Sequence, residues 1–267
     1  MSNEASLVEQ YYQNSSNITE LAREAAGMFD FLLKCQDQFV PGGGDMLEIG
    51  VCRAGTAVFL SSFLKPEERI FLVDPYQNVE SNRSTITSFT NVDPNRLVFI
   101  KEDSLEVNRK KEREFASLEP KVRFAHIDGE HSYDAVIADL ELAIRFLLPG
   151  GLIVLDDIFN INSACCTHAL FDFLNENKRY QCIALGFGKA YLCESKYLGH
   201  YNQAFLLMPE VLQKSHQLHV RLCFNSWAGE RTYLSFSQCN EGEPKYQVIG
   251  RRFATLNDAL ASRPGRH

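Results

Sequence analysis

Two short apolar runs separated by one helical stretch constrain the fold of this 267-residue chain more than any other feature. The first run is KVRFAHID (121–128) and the second is GLIVLDD (151–157). Between them, SYDAVIADLELAIRFL (132–147) has apolar residues at helical spacing. A strand, a helix and a second strand in this order predict two parallel strands joined by a crossover helix and covered on both faces.

The same alternation runs along most of the chain. We predict further strands at 46–51, 69–76 and 96–103, further helices at 17–38, 54–64 and 164–177, and a terminal hairpin over 181–195. The predicted fold class is α/β: a Rossmann-like, doubly wound, mostly parallel seven-stranded sheet with an antiparallel last strand.

Three segments are predicted along the chain. They are an N-terminal helical segment (1–40), a core (41–197) and a C-terminal extension (198–267). In the extension, 209–222 has helical spacing, and two strand-like runs flank the turn NEGEP. We expect the extension to provide either acceptor specificity or a subunit contact in a homo-oligomer.

Composition narrows the class of partner. The net charge of −7 and a pI near 5.6 disfavour nucleic acid and anionic membranes. The first ten residues, MSNEASLVEQ, lack a secretory signal pattern, and the eight cysteines are scattered without a Cys-x-x-Cys pair. We therefore expect a cytoplasmic protein that acts on a small molecule, with no nucleic-acid or membrane partner.

Acidic residues follow the predicted strands in sequence order. They are Glu48, Asp74, Asp103, Asp128, Asp156 and Asp157. Ligands of such sheets bind at the carboxyl ends of the strands. Because strand ends also meet water, one or two acids there need no function, but six in order indicate a binding site.

The turn after the first strand, LEIGVCRAGTA, contains Gly50 and Gly55 with Cys52 between them. A dinucleotide fingerprint needs glycine at that middle position so that the backbone can approach a pyrophosphate, so Cys52 disfavours a nucleotide-dependent oxidoreductase. A nucleoside ligand without a pyrophosphate needs less room. Asp74 can then accept the ribose hydroxyls, and Asp103 and Ser104 can meet an adenine edge.

This order of motifs resembles the class I S-adenosylmethionine-dependent methyltransferases, through LEIGVCRAG, VDPY and KEDS. HIDGEHSYDAV and LLPGGLIVLDD resemble a narrower group, the metal-dependent O-methyltransferases related to macrocin O-methyltransferase and the cephalosporin-modifying enzymes. The resemblance implies S-adenosylmethionine as cofactor. Its cofactor-binding residues would be Glu48, Gly50, Gly55, Asp74, Asp103, Ser104 and Asp128. Ala54 departs from the pattern, since a second glycine often precedes Gly55.

The resemblance also implies a divalent cation. Asp128, Asp156 and Asp157 are the predicted ligands, and oxygen ligands suit Mg²⁺, with Mn²⁺ or Ca²⁺ as alternatives. A cation would make an acceptor hydroxyl more acidic, and His131, three residues after Asp128, would remove its proton. The predicted function is a Mg²⁺-dependent O-methyltransferase that acts on a hydroxyl of a small natural product or sugar, with His131 and Asp128 as catalytic residues.

Several alternatives stay open. The chain could be a binding-only or scaffold protein of the same fold, although such a protein has no need for a base beside a metal. Asp157 could cap the following helix, and His131 could be structural. His216 and His219 lack a third metal ligand beside them. Cys165, Cys166 and His168 face either the core or an acceptor pocket.

Overall fold

The computed structural model describes residues 7–14, 21–40, 42–109, 112–205, 219–225, 231–238, 244–248 and 251–253. The helices in these ranges are α1 (Leu7–Asn14), α2 (Arg23–Phe39), α3 (Gly55–Ser61), α4 (Val79–Phe89), α5 (Ser104–Arg109), α6 (Glu112–Ser117), α7 (Tyr133–Phe146), α8 (Ala164–Glu176) and α9 (Leu198–Phe205). The strands are β1 (Asp45–Ile49), β2 (Ile70–Val73), β3 (Leu97–Ile100), β4 (Val122–Ile127), β5 (Leu147–Leu155), β6 (Tyr180–Gly186), β7 (Lys189–Glu194), β8 (His219–Asn225), β9 (Arg231–Gln238), β10 (Pro244–Val248) and β11 (Arg251–Phe253).

One mixed sheet contains these strands in the order β11-β10-β9-β8-β6-β7-β5-β4-β1-β2-β3. Strands β1 to β5 pair in parallel, and β7 is antiparallel to both of its neighbours, β5 and β6. In this sheet β1 lies between β2 and β4. Strands β2 and β3 continue the sheet on one side of β1, and β4 and β5 continue it on the other, so the strand order reverses at β1. The predicted seven-stranded core with an antiparallel last strand is confirmed, and β8 to β11 continue it as an antiparallel extension.

Apolar side chains cover the sheet on both faces, as the uninterrupted apolar strands predict. On one face, Phe29 of α2 and Phe59 of α3 pack in the same cluster as Phe124 of β4. On the other face, Leu140 of α7 and Phe173 of α8 pack in a second cluster. Among the described helices, none combines the length and the apolar character that a membrane crossing requires.

The predicted element boundaries differ from the observed ones in places that have a physical reason. Helix α4 was not predicted because VESNRSTITSF has few apolar residues; it begins where the Asn78 side chain accepts from Ser81 N. The helix predicted over 209–222 is wrong over its last four residues. Residues 219–225 form strand β8, whose Val and Phe residues favour a sheet. Residues 206–218, with His216, lie outside the described residues. The proposed segment boundaries at 40/41 and 197/198 stay predictions.

A buried ion pair at the amino-terminal end of the sheet joins distant parts of the chain. Arg123 of β4 and Glu68, before β2, have side chains only 2% and 5% exposed. The guanidinium donates through Nε and Nη2 to the two Glu68 carboxylate oxygens, at 2.9 Å each, and through Nη2 to Phe63 O. Gln36 of α2 donates to the Arg123 carbonyl, and Tyr201 of α9 donates to Gly150 O.

We predict that Arg123→Ala lowers the free energy of unfolding by about 3–5 kcal/mol, because it leaves the Glu68 carboxylate buried without its charged partner. Urea denaturation measures the change. The matched control is Lys65→Ala, which breaks the ion pair with Asp37 at the surface, where the two side chains are 36% and 53% exposed. The control should cost less than about 1 kcal/mol. Equal losses in the two variants would contradict the structural role of Arg123.

Candidate functional site

The carboxyl ends of β1 and β4 approach each other closely at Gly50. Gly50 has φ +85°, and a Cβ atom at this position would lie 1.8 Å from the Asp128 carbonyl oxygen. Asp128 N in turn donates to Ile49 O at 2.8 Å. Only glycine fits here, and the contact brings the end of β4 against the turn that follows β1.

Asp74, at the end of β2, holds that turn in place. Its Oδ2 accepts from Val51 N at 3.0 Å and from Cys52 N at 2.9 Å, and its Oδ1 accepts from Tyr76 N at 2.7 Å. The turn is unusually curved, since Cys52 and Ala54 both have positive φ values, of 46° and 64°. The left-handed conformation of Ala54 gives a physical reason for the glycine that often stands at that position.

A cavity of about 370 Å³ opens at these strand ends. Six of the seven predicted cofactor-binding residues line it: Glu48, Gly50, Asp74, Asp103, Ser104 and Asp128. The seventh, Gly55, is not among the lining residues; it begins α3, and its carbonyl accepts from Tyr11 Oη at 2.9 Å. Thr56, Tyr76 and Glu130 also line the cavity, and the sequence pattern did not indicate them.

Asp128, His131 and Asp157 meet beside this cavity, and we call them the acid–histidine group. His131 Nε2 lies 2.8 Å from Asp157 Oδ2 and 3.5 Å from Asp128 Oδ1. On the other side of the ring, Nδ1 lies 3.1 Å from Ser163 Oγ, which fixes the plane of the imidazole. Two carboxylates therefore lie close to the same imidazole nitrogen of His131.

The backbone after β5 turns sharply to place Asp157 there. Asp157 has φ +58° and its Oδ1 accepts from Asn160 Nδ2 at 2.7 Å. The alternative that Asp157 caps a helix is wrong, because Asn160 and Ser163 occupy the cap positions of the two helical segments that follow.

Asp156, the third predicted metal ligand, has a different set of partners. Its Oδ2 forms an ion pair with Lys189 of β7, and its Oδ1 accepts from Asp157 N at 2.8 Å. Burial alone would raise the pKa of Asp156, but His126 and Lys189 outweigh it and hold this pKa below the usual range of a carboxyl. Asp156 is therefore ionised and already neutralised by the protein itself.

His126 of β4 lies beneath Asp156, almost completely buried. Its Nδ1 is 3.6 Å from Glu48 Oε1 and its Nε2 is 3.8 Å from Asp156 Oδ2. Burial lowers the pKa of His126, but the two flanking carboxyl groups have the larger effect and raise it to about 9. Sequence reasoning missed His126 and Lys189 because a single polar residue inside an apolar strand gives no signal of what it faces.

Burial raises the pKa of Asp128, and Asp156 and Asp157 add to this, while His126 and Lys189 oppose it. A divalent cation bound to Asp128 would favour the ionised form. Two sets of side chains within the described residues offer ligand atoms within 4.8 Å of one another: the acid–histidine group, and His126 with Asp128 and Asp156. The acid–histidine group fits a cation better, because Asp156 of the second set is already paired with the Lys189 ammonium.

The remaining candidates within the described residues are His168, Cys165, Cys166 and His219. His168 pairs with Asp172 at 3.3 Å, and Tyr133 donates to the same carboxylate, on the surface between α7 and α8. Cys165 is exposed and Cys166 is buried. His219 begins β8.

Comparison with known proteins agrees with this fold. Residues 47–158 match the family described as a methyltransferase domain. No curated protein sequence is significantly similar to the chain. Many solved structures share the fold. The O-methyltransferase NovP is 13% identical, with a TM-score of 0.51 over 62% of this chain and 78% of its own.

Two further structures carry a cofactor or its product. An O-methyltransferase from Bacillus cereus in complex with S-adenosylhomocysteine is 17% identical, with a TM-score of 0.50 over 71% of this chain and 90% of its own. Cofactor-bound Rv0187 from MTB is 17% identical, with a TM-score of 0.50 over 72% and 90%. The match over residues 47–158 and the shared fold agree with the predicted resemblance to the class I S-adenosylmethionine-dependent methyltransferases.

Proposed function

We propose that the protein is an O-methyltransferase that moves the methyl group of S-adenosylmethionine to a hydroxyl of a small natural product or sugar, with the help of Mg²⁺. One observation carries this proposal: Asp128 lines the cofactor cavity and also belongs to the acid–histidine group. A methyl donor in the cavity and an acceptor at His131 would therefore be neighbours.

In this proposal, the cavity residues bind the cofactor in the order of the strands. Asp74, at the end of β2, would receive the ribose hydroxyls while it holds the turn at Cys52. Asp103 and Ser104, at the end of β3, would receive the adenine. Val51 and Cys52 present the curved backbone of the turn to the rest of the ligand. Holding donor and acceptor in line supplies much of the rate enhancement.

His131 would be the general base. Its Nε2 faces both carboxylates of the acid–histidine group, and Ser163 holds the opposite nitrogen, so the ring keeps one orientation. With the two carboxylates bound to the cation, Nε2 would be free to take the proton of the acceptor hydroxyl, while the N–H at Nδ1 would donate to Ser163 Oγ. Asp128 and Asp157 would hold the cation, whose chemistry is to lower the pKa of the acceptor hydroxyl.

The acceptor would rest on the turn after Asp157. Phe159 and Ile161 are 64% and 92% exposed, large apolar side chains that directly follow the acid–histidine group in sequence. An apolar surface beside a polar centre suits a small organic molecule with one reactive hydroxyl. The name of NovP, an O-methyltransferase, supports oxygen as the acceptor atom.

We predict that Asp74→Ala weakens the binding of S-adenosylhomocysteine by about 1–3 kcal/mol, because the variant loses a charge-assisted hydrogen bond and releases the turn at Cys52. Isothermal titration calorimetry measures the affinity. Asp93→Ala, which removes the carboxylate that accepts from Asn95 N outside the cavity, is the matched control and should bind normally. Unchanged affinity in Asp74→Ala would remove Asp74 from the cofactor site.

For the cation, we expect a chelator to abolish methyl transfer and Mg²⁺ to restore it. Asp128→Asn and Asp157→Asn should raise the Mg²⁺ concentration needed for half-maximal activity at least tenfold, the scale of a lost interaction with a charge. Because Asp156 is paired with Lys189, Asp156→Asn should raise this Mg²⁺ concentration least of the three variants. Full activity of protein freed of metal would contradict a catalytic role for the cation.

For the base, we predict that His131→Gln slows methyl transfer by about 10²–10⁴-fold, because glutamine keeps polarity but cannot accept the proton. A mass-spectrometric assay with labelled methyl donor measures the rate, after a screen of hydroxylated acceptors. His168→Gln, which changes a surface histidine paired with Asp172, should keep the wild-type rate. Equal rates in the two variants would show that His131 is not the base.

A further inference from the structure

Lys189 is a buried lysine to which the proposed function gives no role. It begins β7 and its side chain is only 7% exposed, although lysine is rarely buried without a partner. The ammonium donates to Asp156 Oδ2, and the Asp156 side chain is itself largely buried. Because a buried ion pair seldom stabilises a protein more than an apolar pair of the same size, stability alone does not account for this pair.

The ion pair lies directly beside the acid–histidine group. Asp156 precedes Asp157, whose backbone N–H donates to Asp156 Oδ1 at 2.8 Å. Asp156 also offers a carboxylate oxygen within 4.8 Å of one on Asp128. A carboxylate in this position is close enough to share a cation with Asp128, but both of its oxygens are already engaged, Oδ2 by Lys189 and Oδ1 by the backbone.

Backbone contacts hold Lys189 against Asp156. Strand β7 pairs with β5, and Ala190 lies opposite Leu155, the residue before Asp156. In the turn before β7, Gly188 has φ +73° and its carbonyl accepts from Ile158 N at 2.7 Å. The turn between β6 and β7 is therefore attached to the turn that carries Asp156 and Asp157, and the position of the ammonium is set by the sheet.

We propose that Lys189 withholds Asp156 from the cation and so limits how tightly the acid–histidine group binds it, an inference that rests on the cation of the proposed function. Lys189 has two effects of the same sign. It engages a carboxylate oxygen that would otherwise be a ligand, and it places a positive charge near the cation. Asp128 and Asp157 remain as carboxylate ligands, which leaves coordination positions for water and the acceptor hydroxyl.

The affinity for Mn²⁺ tests this proposal without an acceptor and without turnover. The electron paramagnetic resonance signal of free Mn²⁺ gives the dissociation constant for chelator-treated full chain. Lys189→Met keeps the apolar stem but removes the charge, so it should bind Mn²⁺ about tenfold more tightly, the scale of one charge removed from beside a bound ion. The loss of a merely structural residue would weaken binding instead. The matched control is Lys196→Met, which removes a 61% exposed lysine paired with Glu194 and should keep the wild-type affinity.

Two further variants connect the gain in affinity with Asp156. Adding Asp156→Asn to Lys189→Met removes both charges of the pair together, so the Mn²⁺ affinity should return to within about threefold of the wild type. Lys189→Gln removes the charge but keeps a donor for Asp156 Oδ2, and it should also bind Mn²⁺ more tightly than the wild type. This variant serves as the test if Lys189→Met does not fold.

Unchanged or weaker Mn²⁺ binding in folded Lys189→Met or Lys189→Gln would overturn the role of Lys189 and leave the proposed methyltransferase function intact. A gain in affinity that persists after Asp156→Asn is added would overturn the part of Asp156. Absence of Mn²⁺ binding in the wild type and in every variant would contradict the cation of the proposed function, and the inference with it. The failures of the two proposals are therefore distinguishable.

Discussion

The contact between Gly50 and the Asp128 carbonyl is the constraint on which the rest of the site depends. Any side chain at position 50 would occupy the space of the β4 backbone, because its Cβ would lie 1.8 Å from that oxygen. The close approach lets the turn after β1 curve over the strand ends, where Asp74 holds it through two backbone N–H groups. It also presents the Asp128 side chain to the cavity and to His131 at the same time.

The charges of the site fall into two sets with different partners. Beneath the surface, Lys189 and His126 neutralise Asp156, so these charges are compensated by the protein. At the surface, His131 is the basic side chain that lies against both Asp128 and Asp157. Carboxylates this close repel each other unless a positive charge joins them. The second set is therefore the part of the site suited to an external cation and to a proton transferred from an acceptor.

The sequence predicts the fold well because buried parallel strands leave a strong pattern. Runs such as IFLV and GLIVL are apolar throughout, and each is followed by an acid, so the pattern that predicts a strand end also predicts a site residue. The approach of Asp128 to Asp157 could also be predicted, since β4 and β5 are neighbours. Boundaries in polar segments, such as α4, could not.

The partners of buried polar residues could not be predicted either. Lys189 is 33 positions from Asp156, and the two meet only because β7 pairs with β5. Asp139 reads as one polar residue in an amphipathic helix, and nothing in its neighbourhood in sequence indicates that it faces Gly129. These contacts depend on tertiary packing, and periodicity carries no information about them.

In the proposed function, the cofactor cavity and the acid–histidine group form one active centre through Asp128. A crystal structure with S-adenosylhomocysteine and Mn²⁺, with anomalous scattering measured for the metal, tests this most directly. We expect the nucleoside in the cavity beside Asp74 and Ser104, and an anomalous peak between the carboxylates of Asp128 and Asp157. A bound nucleoside with no peak at these carboxylates, or a peak remote from the cavity, would contradict it.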